Sequence, residues 1–453
     1  MCEFQIPYGR EHLTFNLADE LRAEWIAPAQ AAPAPDAVRA VNEALDAPFA
    51  DPRQGMGNVR LADFAGAKSV AIAVNDKTRP VPHKVLLPPL LARLKAMGLP
   101  REAITLIVAV GAHAPMPPGE FAGVIPLDIL ERHTVISHDP DDPENLVYLG
   151  ATQRGTPVWI NRRFAQADLR IVVGNIEPHQ FQGFSGGYKT AAIGLAGKDT
   201  VNHNHSMMTD LNAVPLRFDD NPPRQDIEEM GRMIGVHFAL NAVVNESKQI
   251  VQVLAGEPGE VMRRGIPLAR QIYQVEVRSP FDLIIASPGG HPKDINLYQA
   301  QKALAHASLV MKDGGTVILV AACLEGTGST SYERWMEGVT SFEAVFEKFK
   351  REGFSVGPHK AYQIARDACR VRVLMVTEMQ PDFVRRLLLD PVPSLDEALS
   401  TALRDLPSGA RVGVMPAANS TIPTLRIPYR AMCAGGLGNT PYVLQENVTA
   451  QPV

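Results

Sequence analysis

The stretch Asp168-Leu-Arg-Ile-Val-Val-Gly174, continuing as Asn-Ile-Glu-Pro-His-Gln-Phe-Gln-Gly-Phe-Ser-Gly-Gly-Tyr-Lys-Thr190, decides how this chain folds. Asp168 to Val173 is a short aliphatic run that ends at a glycine, the pattern of a buried parallel strand. The glycines therefore begin where an α/β sheet presents its carboxyl edge, the usual place for a ligand. Without a Cβ, backbone amides at such glycines can approach an anion closely. Closed by His203-Asn-His205, the segment gathers three imidazoles and a lysine in one short length of chain. That concentration of reactive side chains predicts an enzyme.

Outward from this strand, short aliphatic runs alternate with helical patterns, which predicts α/β architecture with mainly parallel, doubly wound sheets. In the first half, strands are expected over 68–75 and 103–110, flanking a helix over 84–97 that Pro88-Pro89 should disturb. A hairpin is expected from 237–243 and 249–253, with Asn245-Glu-Ser-Lys248 as its turn, and reads as structural. Near Ser279-Pro280 the pattern restarts, with strands over 281–286, 316–322, 370–376 and 411–415 and helices over 297–311, 342–352 and 395–406, the last capped by Ser394. These periods predict two domains, 1–277 and 278–453, with an active-site cleft between them. The stretch from Ala27 to Asp36 reads as an extended connector, and the tail from Pro416 has the length to return over the first domain. No repeat of solenoid length is present.

Composition narrows the function. The chain has 453 residues, 45% of them hydrophobic, and 44 basic against 49 acidic residues give a net charge of −5. That balance offers no footprint for nucleic acid or an anionic membrane surface, so a small-molecule substrate is expected. Apolar runs are strand-length, far short of the ~20 residues of a bilayer span, and Met1-Cys-Glu-Phe4 does not read as a secretion signal. A cytoplasmic protein is expected. Cys2, Cys323, Cys369 and Cys433 are scattered and form no thiolate cage or disulfide framework.

Four clusters carry chemistry. Asn75-Asp-Lys-Thr-Arg-Pro80 ends the first strand, and Arg79 offers a planar fork for a carboxylate or phosphate. Gly111-Ala-His-Ala-Pro-Met116 ends the next strand and puts His113 on the same rim. Gly183-Phe-Ser-Gly-Gly-Tyr-Lys-Thr190 invites comparison with a phosphate-binding P-loop, but Tyr188 stands between glycine and lysine, where that motif has none. His203 and His205, two apart, would share one face of an extended segment and suit zinc. The fourth cluster, Ser287-Pro-Gly-Gly-His-Pro-Lys-Asp294, opens a helix on which Tyr298 and Lys302 share a face near the amino end.

In combination these motifs resemble the nickel-dependent lactate racemase family. The resemblance rests on Asp76-x-Thr-Arg-Pro80, Gly111-x-His-x-Pro115, Pro178-His179 leading into Gly183-Phe-Ser-Gly-Gly-x-Lys189, His205, and Gly289-Gly-x-Pro-x-Asp294 continuing to Tyr298-Gln-x-x-Lys302. It implies a racemase or epimerase that inverts C2 of a 2-hydroxy acid by proton-coupled hydride transfer. The implied cofactor is a nickel-pincer nucleotide, pyridinium-3-thioamide-5-thiocarboxylic acid mononucleotide, held covalently on Lys189 with nickel bound by His205. His113 and His179 are the implied acid/base pair. Arg79, Tyr298, Gln299 and Lys302 would hold the substrate, with Tyr362 where the family often has tryptophan. Asp76, Thr78, Gly186 and Gly187 fall to the cofactor, and His203 has no role. Cofactor-building enzymes are implied as maturation partners.

The residue types suit that chemistry. The α-hydrogen of a 2-hydroxycarboxylate is a very poor acid, because its loss as a proton would place a second negative charge beside the carboxylate. Hydride removal avoids the difficulty if a histidine takes the hydroxyl proton, and a second imidazole with a pKa near ~6.5 can serve the opposite face. Lactate, a longer aliphatic, a dicarboxylic or a sugar acid fits equally. Two other readings stay open on sequence: a zinc-dependent hydrolase using His203 and His205, and a non-catalytic carrier of the nickel nucleotide.

Overall fold

A computed structural model describes residues 2–50 and 60–426, so the distal tail, Cys433 included, lies outside the described residues. The chain divides into two compact units, Gln30–Ile272 and Met1–Ala29 with Tyr273–Val453. The division moves the expected boundary. The first 29 residues belong with the C-terminal half, because Glu24–Trp25 pairs in parallel with Val412–Met415 and completes that unit's sheet. Two residues of strand carry too little signal to be read locally.

The unit 30–272 is built on a six-stranded sheet in the order Ile250–Gly256, Phe238–Val244, Leu169–Asn175, Val70–Asn75, Ile104–Ala109, Thr134–Ser137. All neighbours are parallel except the Phe238–Val244 and Ile250–Gly256 hairpin. Chain order reverses between Val70–Asn75 and Leu169–Asn175, the switch point of a doubly wound sheet, where the strand ends diverge and leave a crevice. Val70, Ile72, Val74, Leu106 and Val108 pack on one face against Leu86, Leu87, Leu90 and Leu94. Those leucines lie on the helix His83–Ala96, which runs on through Pro88 and Pro89 rather than breaking there.

On the other face the strands present small residues such as Ala71, Ala73 and Ala109, which lets the short helix Lys189–Ala192 lie close. A Cβ at Gly194 would stand 2.7 Å from the Ala109 Cβ and 2.3 Å from the Thr190 carbonyl oxygen. The helix Pro222–Ile234 has conventional ends: the Asn221 side chain accepts from the Arg224 amide, Pro222 opens the first turn, and Gly235 at φ 69° closes it.

The second unit carries an all-parallel sheet in the order Asp390–Val392, Arg372–Val376, Met311–Val320, Phe281–Ala286, Val412–Met415, Glu24–Trp25. Ser394 caps the helix Leu395–Arg404 as expected. The helix expected to reach 311 ends at Ser308, and the next strand starts already at Met311. An antiparallel hairpin, Cys2–Tyr8 with Glu11–Leu17, adds Ile6, Phe15 and Leu17 to a cluster with Leu283, Ile285 and Ile318. Among the described residues no helix is long and apolar enough to cross a membrane.

Candidate active site

The clusters at Asp76, His113, His179 and Lys189 leave the carboxyl ends of Val70–Asn75, Ile104–Ala109 and Leu169–Asn175, three adjacent strands at the switch point. Close approach is built into the strand ends. A Cβ on Gly174 would lie 2.9 Å from Asn75 Oδ1 and 3.0 Å from Thr190 Oγ1, which only glycine avoids.

The glycine-rich turn is held from beneath. Gly186 and Gly187 take φ of 89° and 57°, and a Cβ on them would meet the Asn175 carbonyl at 2.9 Å and Met262 Cγ at 2.5 Å. The Gly187 amide donates to Asn241 Oδ1 at 2.8 Å. Arg224, fully buried, donates to the carbonyls of Phe184 and Gly186 and pairs with Glu228 at 2.5 Å. Tyr188, which spoils the P-loop pattern, is an anchor: its hydroxyl donates to Glu257 Oε1 at 2.5 Å and its ring fills the space above Gly231.

The turn delivers Lys189 to a buried position. Its Nζ is sequestered from solvent and has no hydrogen-bond partner among the described residues. Burial, then the charges of Arg79 and Arg224, hold the amine well below the ordinary lysine range, only partly offset by Glu177. The shift is toward the neutral amine, the form that can act as a nucleophile. Glu177 itself stays ionised: burial raises its pKa, but Lys248 and Arg79 outweigh that, and Lys248 Nζ stands 3.0 Å from its Oε2.

His205 lies on the helix Lys198–Ser206 with its ring edge-on to Phe181 at 5.1 Å, and Phe181 in turn meets the His179 ring at 4.9 Å. Burial, chiefly, and the nearby Arg79 cation push His205 down to about 3. A neutral imidazole is the ligand form. Asp76 accepts from Thr78 Oγ1 at 2.6 Å and lies 3.1 Å from His113 Nδ1. Burial raises the Asp76 pKa, but the bonds from His113 and Thr78 and the His113 and Arg79 charges leave it below the usual carboxylate value.

The zinc pair is corrected by the helix. Residues two apart on an α-helix point about 200° from one another. His203 Nδ1 is engaged by Thr156 Oγ1 at 2.8 Å, away from His205. Among the described residues no three His, Cys, Asp or Glu side chains gather as a metal cage.

In the other unit, Tyr298, Gln299 and Lys302 sit at the start of the helix Leu297–Ser308, capped by Asn296. Lys302 Nζ donates to Gln299 Oε1 at 2.7 Å. Tyr298 meets His359 edge-on at 5.8 Å and lies 4.5 Å from Lys360 Nζ, a buried cation bonded to Gln301 and Gln363. Tyr362 is engaged differently: its ring stacks on Phe349 at 4.7 Å and meets Phe346 at 5.8 Å.

Sequence reading passed over Glu177, Lys248, Asn241, Arg224 and Lys360. Glu177 lay inside the quoted segment. Lys248 was legible from topology: the strand Phe238–Val244 runs parallel to Leu169–Asn175, so its turn must open on the same rim.

Family models described as the lactate racemase N-terminal domain and the lactate racemase C-terminal domain match residues 8–214 and 275–422. The lactate racemase of Thermoanaerobacterium thermosaccharolyticum is 30% identical over 432 residues, covering 93% of this chain and 99% of that protein. The lactate racemase of Lactiplantibacillus plantarum is 29% identical over 426 residues, covering 92% and 98%. The structure of the T. thermosaccharolyticum lactate racemase apoprotein superposes with a TM-score of 0.85 over 93% of this chain and 100% of that one, at 29% identity. A Thermotoga maritima protein, 19% identical with a TM-score of 0.63 over 86% of this chain, shares the fold.

Proposed function

The chain belongs to the lactate racemase family, and from that membership we propose that it is an isomerase inverting C2 of a 2-hydroxy acid with a nickel-pincer nucleotide as cofactor. One observation carries the reading: a buried amine, Lys189 Nζ, without a partner among the described residues, at the end of a turn held rigid by Arg224 and Asn241. An unsatisfied buried amine costs stability and needs a reason.

The residues suit the cofactor. The Lys189 amine, its pKa lowered by burial, is a fitting tether, the Gly186-Gly187 turn lets backbone approach a nucleotide, and His205 is a neutral nitrogen donor. One protein imidazole is enough for the metal only if the remaining donors arrive with it, which favours a pincer ligand over a protein-built zinc site. When bound, the cofactor supplies the hydride acceptor.

The chain's own groups do the rest. Arg79 neutralises and orients the substrate carboxylate, and Tyr298, Gln299 and Lys302 are further substrate residues that family membership implies. His113, backed by Asp76, takes the hydroxyl proton at Nε2, and His179 serves the proton of the opposite enantiomer. Asp76 and Thr78, bonded to each other, are better assigned to His113 than to the cofactor. Tyr362 is left out of the substrate set because its ring is engaged with Phe349.

Coexpression with cofactor-building enzymes tests the reading. The expected product has added mass on Lys189, stoichiometric nickel, and the ability to erase the optical purity of at least one acid in a panel of aliphatic, dicarboxylic and sugar 2-hydroxy acids. Unmodified Lys189 with zinc in the protein and no change in any acid would refute it.

A further inference from the structure

His179, Lys189 and His205 come from separate segments, and one helix, Pro222–Ile234, is tied to all three. Its cap, Asn221, donates to the Phe181 carbonyl at 3.0 Å, two residues after His179. Arg224 holds the carbonyls of Phe184 and Gly186 below the turn that ends at Lys189. The third tie is Asp226, which is fully buried. Its Oδ1 accepts from Thr152 Oγ1 at 2.6 Å, and its Oδ2 accepts from Thr156 Oγ1 at 2.8 Å and from Asn204 Nδ2 at 2.9 Å. All three donors are neutral. Among the described residues this acid is therefore buried without a cation beside it, an arrangement that costs stability unless the network has a task.

The network closes at Asn204. It is fully buried, and its side-chain amide is engaged at both ends: Nδ2 donates to Asp226 and to the Pro223 carbonyl at 2.8 Å, and Oδ1 accepts from Gln182 Nε2 at 2.8 Å. Asn204 precedes His205 on the helix Lys198–Ser206, so fixing its amide fixes the roll of that helix and the direction of the next side chain, about 100° further round. His203 adds a second tie on the same helix, since its Nδ1 lies 2.8 Å from Thr156 Oγ1. Gln182, also fully buried, belongs to the segment that carries His179. Its backbone amide lies 3.3 Å from His179 Nδ1, and Phe181 beside it meets both imidazole rings edge-on. The segment of His179 and the helix of His205 thus meet at one amide, seated on one acid.

We propose that Asp226, acting through Asn204, is a positioning residue that holds His205 in register with His179. What His205 binds rests on the proposed function; the register is read from the residues alone. A nitrogen donor serves a metal only along its lone pair, so a small roll of the helix Lys198–Ser206 would weaken that bond even with the imidazole still present. The same roll would pull on Gln182 and displace the His179 segment, so the two rings are expected to move together. The acid is needed as an acceptor of hydrogen bonds, not as a charge.

Asn204→Ala cuts the link, whereas Asp226→Asn keeps it, because a carboxamide turned the right way still offers one oxygen to Asn204 and Thr156. In full-length protein coexpressed with cofactor-building enzymes, Asn204→Ala should release nickel to a chelator at least about ten-fold faster than the parent, with the added mass on Lys189 retained. Asp226→Asn should stay close to the parent. In a His205→Ala background, Asn204→Ala should add nothing to nickel release, which separates a role played through that imidazole from a general loosening of the fold. No acceleration, equal acceleration with and without His205, or a loss in Asp226→Asn as large as in Asn204→Ala would overturn the proposal. The apoprotein gives a second readout. With 15N-labelled histidine and His→Gln variants to identify the signals, Asn204→Ala should move the His179 and His205 resonances together and leave His113 in place; either of the two unmoved would overturn the proposal. Should Asn204→Ala fail to fold, Gln182→Met, which leaves Asn204 on Asp226, should move the same two resonances by less, and no movement counts against the register. If even the parent takes up no nickel, the proposed function fails and the histidine spectra decide the register.

Discussion

The carboxyl rims of the two sheets share an architecture and differ in what fills them. In the unit of Glu24 and residues 273–426 the rim is filled by the chain's own amino terminus. The Gly9 amide donates to Asp294 Oδ2 at 2.6 Å, Ser287 Oγ donates to the Pro7 carbonyl at 2.6 Å, the His291 amide donates to the Gly9 carbonyl at 2.7 Å, and Tyr8 reaches Glu378 at 2.8 Å. In the unit 30–272 the corresponding rim keeps a buried amine unsatisfied and a histidine dyad half open to solvent. Fold alone therefore does not say where chemistry sits; the side chains placed on each rim do.

The largest effect that could break this contrast is expected at Lys189. Lys189→Met should abolish the added mass and lower racemisation at least about a thousand-fold, while thermal unfolding stays within about 1 kcal/mol of the parent or improves, since a buried amine is replaced by an apolar chain. A large loss of stability would mean that the amine is structural. The filled rim should behave in the opposite way. Asp294→Ala strands the amides of Gly9 and Ala322 and should cost roughly 2–4 kcal/mol in denaturant unfolding, with tethering on Lys189 intact in the protein that remains folded.

Acid should strike both units alike. His83 in one and His306 in the other are fully buried, each with Nδ1 at a backbone carbonyl, and burial pushes each down to about 4. The unfolded rings take up protons near pH ~6.5 and the folded ones only near 4, so stability is full above about 6.5 and drains as pH falls toward 4. By pH ~5 each ring should have cost roughly 2 kcal/mol. His306→Gln should flatten that slope for its own unit; an unchanged slope would locate the acid sensitivity elsewhere. The smallest effect is expected at Lys248, whose pair with Glu177 is partly exposed. Lys248→Met should change stability by less than about 1 kcal/mol and racemisation by a few-fold; a hundred-fold loss would make this turn part of the reacting centre.

Much of the reactive rim was legible because strand ends can be read locally. The aliphatic runs at 70–75, 104–109 and 169–175 announce themselves, Asp76, His113 and His179 follow them within a few residues, and Lys189 comes at the end of the glycine-rich turn that continues the last. What sequence hid was set by long-range pairing. Glu24–Trp25 is a strand only because Val412–Met415 lies beside it. His203 and His205 look like a metal pair until Lys198–Ser206 proves helical. Tyr188 looks like a fault in a phosphate loop until Glu257 and Gly231 are brought beneath it. Arg224 gave no local signal, since its task is to bind carbonyls about forty residues earlier in the chain.

The late partner of Glu24–Trp25 also bears on how the polypeptide leaves the ribosome. Glu24 and Trp25 are among the last to find their neighbours, because Gly413 and Val414 emerge almost four hundred residues after them. Until the strands from Phe281 onward are made, Ile6, Phe15, Leu17 and Ile26 have no sheet to cover them, while the intervening unit has all its own strands and can already close. Nascent chains stalled short of residue 281 should therefore carry a sticky leading segment ahead of a finished domain, a natural client for a chaperone that grips extended apolar peptide.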